Sequence, residues 1–207
     1  MFWGVVADMI PKIVLSESEK AGTQYLYGPK NALYSISPPE SMFGFTVWSH
    51  MIPPYRPAHT LMLGYGSGTV SALMRKVWGN DCKVTGVDIE AHNYEFVEYK
   101  MKVMDAKQFV WEATTPAFKD YIFVKDKYDY ICIDLWDGDK VCDFVFDVEF
   151  AVRLRELATG LVSMNVKMED VVRLKSFNDY GYQFARSVPV EGNQVIWWSV
   201  YQEKKNV

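Results

Sequence analysis

Thr60-Leu61-Met62-Leu63-Gly64-Tyr65-Gly66-Ser67-Gly68-Thr69 reads as a buried strand running into a glycine turn. Four apolar or β-branched residues without alternation suit a strand covered on both faces, and the glycines let backbone come close to a ligand. Thr69 to Trp78 continues as a helix that Gly79-Asn80 stops, and Lys83 to Val87 follows as a second strand. The unit is strand, helix, strand, which implies a parallel sheet.

Asp88 closes the second strand, 20 residues after Gly68, where an acid accepts the ribose hydroxyls of a nucleotide in such sheets. The dinucleotide fingerprint G-x-G-x-x-G starting at Gly64 would need glycine at 69, and Thr69 stands there. No lysine lies between Gly64 and Ala72, so the ATP-type G-K-[ST] ending is missing too. A nucleoside without a pyrophosphate remains. The other reading of each glycine is plain turn geometry, and of each acid plain solvation.

Strands and helices continue to alternate outward from this unit. Tyr128 to Ile133 reads as a strand, and Phe146, Phe150, Leu154 and Leu157 mark the apolar stripe of a helix that Gly160 stops. Leu161 to Val166 is a further buried strand and Glu169 to Tyr180 a further helix. Tyr182 to Val190 and Gln194 to Tyr201 pair around Glu191-Gly192-Asn193 as a closing hairpin. The expected fold is an open α/β sheet, mostly parallel, with a reversed C-terminal strand. Pro53-Pro54-Tyr55-Arg56-Pro57 is a seam that excludes regular structure. It separates an N-terminal hairpin or lid segment, 1–57, from a domain at 58–207. In the first part, Thr23 to Tyr27 and Ala32 to Ser37 form a hairpin around Gly28-Pro29-Lys30-Asn31, and Met42 to Ile52 a short helix.

The 207 residues fit one ordinary domain, and 49% hydrophobic against 23% charged residues excludes a disordered chain. A net charge of -4 argues against nucleic acid as a partner and favours a small or cationic one. Cys82, Cys132 and Cys142 show neither disulfide nor metal spacing, so no metal is expected and the compartment reads as reducing. Met1 to Leu15 is interrupted by Asp8, Pro11 and Lys12, which predicts neither signal peptide nor membrane span. The protein is therefore expected to be soluble, cytoplasmic and without a membrane partner.

These residues resemble the class I S-adenosylmethionine-dependent methyltransferases, whose first motif is an apolar strand followed by G-x-G-x-G and whose second strand ends in an acid. Within that superfamily the closer resemblance, over most of residues 58 to 201, is to the spermidine synthase-like proteins. It implies a Rossmann-like methyltransferase fold with S-adenosylmethionine, or its decarboxylated form, as cofactor. Gly64, Tyr65, Gly66 and Gly68 would cradle it, and Asp88 and Ile89, within Val84 to Glu90, would hold its ribose side. Met104-Asp105-Ala106-Lys107-Gln108-Phe109 resembles the family's acidic motif before a helix, which implies Asp105 and Ala106 at the adenine. Tyr128 to Asp134 resembles the fourth strand with its terminal aspartate, which implies Asp134 at the cofactor and the reacting centre.

Two departures bear on the reaction. The family's D-[ST]-[ST]-D-P loop is here Asp134-Leu135-Trp136-Asp137-Gly138-Asp139, which keeps only the spacing of the aspartates. Thr46-Val47-Trp48 stands where the family's Tyr-Gln-Glu run grips an amine. Methyl transfer to a small acceptor is therefore ranked before aminopropyl transfer, with a non-catalytic nucleoside-binding scaffold as a third reading and a dehydrogenase last. Asp134 and Asp137 are the catalytic candidates, one as counter-charge and one as general base, although Asp137-Gly138 also suits an ordinary turn. Trp136 either covers a sulfonium or packs; Tyr65 either touches the cofactor's amino-acid tail or points to solvent. His50, His59 and His92 have no local partners at ligand spacing, and Pro53-Pro54-Tyr55 lacks the acid of a D-P-P-Y motif. Alternation at Trp197-Trp198 sends one ring inward and one outward, which with the N-terminal hairpin predicts a homodimer contact.

Overall fold

The computed structural model describes residues 12–14, 25–27, 33–36, 46–66, 68–89, 100–117 and 127–200. Three short strands open the chain, β1 (Lys12–Val14), β2 (Tyr25–Tyr27) and β3 (Leu33–Ile36), joined antiparallel in that order. The expected hairpin is the β2–β3 pair, and β1 adds a strand that its three residues were too few to signal. The Gly28–Asn31 turn, the helix start at Met42, Ser67, Glu90, His92 and the residues after Val200 lie outside the described residues.

The main sheet has seven strands. β4 (His59–Leu63), β5 (Lys83–Asp88), β6 (Lys100–Val103), β7 (Tyr128–Ile133) and β10 (Ala158–Lys167) run parallel, while β12 (Asn193–Val200) runs antiparallel to β10 and to β11 (Tyr182–Val190). Its order is β11-β12-β10-β7-β4-β5-β6. The chain moves outward from β4 through β5 to β6, then crosses back to β7 on the other side. The strand order therefore reverses between β4 and β7, and a crevice opens there at the strands' carboxyl ends. A two-stranded hairpin, β8 (Trp136–Asp137) and β9 (Lys140–Val141), rises just beyond β7.

Helices α1 (Thr69–Trp78), α2 (Ala106–Thr114), α3 (Val148–Leu157) and α4 (Lys175–Asp179) cover the sheet. The continuous helix expected over 169–180 is instead a 3-10 turn, Met168–Leu174, followed by the short α4. Val171 and Val172 are β-branched and stiff in a helix. The expected helix at Met42 to Ile52 appears as the 3-10 turn Val47–Met51. No helix among the described residues is long and apolar enough to cross a membrane.

The core divides between the two faces. Phe109, Leu154, Phe177 and Trp198 belong to one layer, and Met51, Met74, Tyr130 and Trp197 to the other. Trp197 and Trp198 are each 1% exposed, so alternation along β12 buries one ring on each face and leaves neither outward. The reason is position: β12 is an inner strand, covered on both sides.

Gly160 does not stop α3, which ends at Leu157 with Ala158 already extended. It lies inside β10, where a Cβ would run into the Asp129 carbonyl oxygen and come within 2.8 Å of the Tyr55 hydroxyl. Gly160→Ala is expected to destabilise the protein by about 1–3 kcal/mol through overpacking. Urea titration should show a lower midpoint with an unchanged slope.

The proline seam is held by aromatic donors. Tyr130 Oη donates to the Met51 carbonyl, Tyr55 Oη to the Asp129 carbonyl, Trp197 Nε1 to the His50 carbonyl at 3.1 Å and Trp78 Nε1 to the Pro53 carbonyl at 3.2 Å. Backbone that makes no ladder still needs partners, and tyrosine and tryptophan supply a donor at the tip of an apolar body.

Candidate active site

The glycine turn is fixed from both sides. Gly64 N donates to the Val87 carbonyl at 2.9 Å and Asp134 N to the Leu63 carbonyl at 2.8 Å, so the ends of β4, β5 and β7 are tied together. Gly64 has φ +80°, and a Cβ there would overlap the Asp134 carbonyl oxygen. Gly66 N donates to Asp88 Oδ2 at 2.7 Å, which binds the turn to the acid of the second strand. A cavity of about 800 Å³ lies against this crevice.

One half of its wall is Gly64, Tyr65, Gly66, Asp88, Ile89, Asp105 and Ala106, all of them expected from the sequence. Ile89 is exposed at the rim, and Asp105 caps α2 by accepting from Gln108 N at 2.9 Å. Gly68 stands outside the wall, where it caps α1 in a left-handed conformation. Tyr65 does not point to solvent: it is 4% exposed, and its hydroxyl lies beneath Gly68.

The other half of the wall comes from β7, the β8–β9 hairpin, β10 and the 3-10 turn before the seam. It includes Trp48, Asp134, Trp136, Asp137, Asp139, Asn165, Lys167 and Asn193. Asp134 is its centre. Trp48 Nε1 donates to its Oδ2 at 2.9 Å, while Trp136 Nε1 and Asn165 Nδ2 donate to its Oδ1 at 2.8 and 2.9 Å. Burial pushes the Asp134 carboxyl up from the ordinary carboxylate range; these three donors pull it back, and Asp88 adds a smaller upward push. Among the described residues no side-chain cation acts on it. Asp137 ends β8 and is exposed at the cavity, and Gly138 and Asp139 make the hairpin turn, so Asp137 both opens a turn and faces the cavity.

The remaining nucleophile candidates are quiet. Cys132 lines the cavity, but burial and then Asp134 push its thiol up to about 12, and burial ahead of Asp137 raises Cys142. Both stay protonated near neutrality. His50 and His59 are absent from the cavity wall.

Asn165, Lys167 and Asn193 escaped the sequence reading, which took Leu161 to Val166 simply as apolar. The signal was there, since an amide inside a buried strand needs partners or leaves an unmet group costing about 1–3 kcal/mol. Trp48 was visible only as a departure from a pattern; its bond to Asp134 spans 86 residues.

No protein-family model and no curated protein matches the sequence. Solved structures do resemble the fold. A probable spermidine synthase from Corynebacterium glutamicum superposes with TM-score 0.65 and 16% identity over 95% of this chain and 79% of its own. MNMC2 from Aquifex aeolicus gives 0.59 and 13% over 96% and 74%. A Streptococcus mutans protein assigned as a SAM-dependent methyltransferase gives 0.60 and 14% over 92% of this chain, which spans only 55% of that one. At such identities the likeness establishes architecture: the chain has the Rossmann-like fold of the class I S-adenosylmethionine-dependent methyltransferases, which spermidine synthases share.

Proposed function

We propose that the protein is an S-adenosylmethionine-dependent transferase that moves a methyl group to a small acceptor. The observation that carries this reading is Asp134, a carboxylate held by two indole N–H groups and an amide, with no cation beside it among the described residues. It faces a cavity whose described wall carries five carboxylates, Asp88, Asp105, Asp134, Asp137 and Asp139, against one ammonium, Lys167. Such a wall suits a cationic ligand. Trp48 and Trp136 flank the carboxylate, and aromatic faces add cation–π attraction of about 0.5–2 kcal/mol.

The residues present fit the nucleoside. The glycine turn leaves no side chain at Gly64 or Gly66, Asp88 supplies an acceptor for ribose hydroxyls, and Ile89 and Ala106 supply apolar contact for a base. The cofactor would bring an activated carbon on a sulfonium, whose bond to sulfur breaks, with its electron pair, as the acceptor's bond to that carbon forms. The chain's own work is then positioning and charge. Three donors occupy most of the lone-pair directions of Asp134, so it serves as counter-charge. Asp137, exposed and free of those donors, takes the proton of an ammonium acceptor. Trp48 brings the 3-10 turn before the seam to the site, which supports a lid role for that turn. Aminopropyl transfer from the decarboxylated cofactor is the second reading, favoured by the retained pair Asp134 and Asp137.

Calorimetric titration with S-adenosylmethionine, its decarboxylated form, methylthioadenosine and NAD tests this. Absence of binding by every sulfur nucleoside sinks the proposal, while binding without turnover on any acceptor leaves only the scaffold reading. Asp88→Asn keeps an oxygen for Gly66 N but removes an acceptor for the ribose. It is expected to weaken nucleoside binding about 10- to 100-fold, as for loss of a charged hydrogen bond.

The upward shift of Asp134 also sets a pH dependence. Below its raised value the group is protonated and carries no charge for a sulfonium. Affinity for S-adenosylmethionine should therefore rise with pH through that value and then level off, whereas affinity for uncharged methylthioadenosine stays flat. The stability contribution has the opposite sign: it is full below the unfolded value and lost as pH rises through the folded one.

A further inference from the structure

Along β10, Val162, Met164 and Val166 face the core layer of Phe109, Leu154 and Trp198, so Ser163, Asn165 and Lys167 face the opposite side. Asn165 and Lys167 both line the cavity, and Asn193, the cross-strand partner of Lys167, lines it beside them. Asn165 is 4% exposed. Its Nδ2 is committed to Asp134, a carboxylate that can only accept, and this fixes the amide's orientation. Its Oδ1 is buried and without a partner among the described residues. Lys167 makes no ion pair among the described residues, although Asp137 and Asp139 line the same cavity. Among the described wall residues it is the single cation, against five carboxylates, and it lies on the β10–β12 side, away from Asp88 and Asp105.

We infer that the acceptor is an amino-acid-like zwitterion, with a carboxylate held by Lys167 and Asn193 and an ammonium turned toward the carboxylates of Asp137 and Asp139. This rests on the transferase reading and names its substrate class. Lys167 and Asn193 lie opposite each other across β10 and β12, so one carboxylate reaches both. The surrounding carboxylates exclude a simple anion, which would meet repulsion without the compensating ammonium.

Matched pairs that differ by one carboxylate test the inference: ornithine against putrescine, and lysine against cadaverine. Each is titrated calorimetrically into protein saturated with S-adenosylhomocysteine. The carboxylated member is expected to bind at least tenfold tighter than its diamine. Lys167→Gln should erase that ratio while leaving S-adenosylhomocysteine affinity within twofold. Three results would overturn the inference: equal or tighter binding of the diamines, no binding by either member, or a Lys167→Gln variant that loses S-adenosylhomocysteine but keeps methylthioadenosine. The last would assign the lysine to the nucleoside's own carboxylate. Failure of every sulfur nucleoside to bind would instead sink the transferase reading, and the same pairs titrated into ligand-free protein would then decide the carboxylate preference.

Discussion

Gly64→Ala is expected to lower stability by about 3–5 kcal/mol and the melting temperature by roughly 6–20 °C. Two effects add. The left-handed backbone at φ +80° costs an L-residue about 1–2 kcal/mol. The new methyl also overlaps the Asp134 carbonyl oxygen, which is backbone and cannot swing away. Relief requires separating the ends of β4 and β7, and with them the bond from Asp134 N to the Leu63 carbonyl. Calorimetry on the variant measures the loss, and near-wild-type melting would mean that the crevice is wider than the structure places it. Because the same movement displaces Asp134, sulfonium binding should fall even at temperatures where the variant is folded.

Asp134→Asn separates charge from architecture. The amide is nearly the same size, but it offers one acceptor where the carboxylate offers two, and its own N–H₂ faces an indole donor. Stability is expected to drop by about 1–2 kcal/mol. Affinity for S-adenosylmethionine should drop by about 100-fold, or roughly 2.7 kcal/mol, because the counter-charge is gone. Methylthioadenosine, with the same nucleoside and no charge, should bind within about threefold of wild type. A parallel loss for both ligands would show that Asp134 acts through shape alone.

The parts of the fold legible in the sequence are those governed by local rules. The helix Thr69–Trp78 and the strand Tyr128–Ile133 match their expected bounds, because apolar periodicity and glycine punctuation act within a few residues. The β8–β9 hairpin was not legible, since four residues in two strands carry no period. Gly160 misled because a glycine after a helical stripe usually ends it; here its use is the close approach of two strands, which only pairing reveals. In the site, the acids at strand ends were found by position, whereas Asn165, Lys167 and Trp48 join it through register and long-range packing. Alternation along β12 was right, but whether the second face is wet depends on what covers it.

The aromatic donors that hold the proline seam have a kinetic consequence. The bond from Trp197 to the His50 carbonyl joins residues 147 apart, and the one from Tyr130 to Met51 joins residues 79 apart. Loops of that length close slowly, and only after β7 and β12 have found their places in the sheet. The turn that carries Trp48 to Asp134 therefore sets last. During synthesis the cavity would form only once β12 has left the ribosome, so a nascent molecule that stops short of β12 would be folded in part but without a finished cavity.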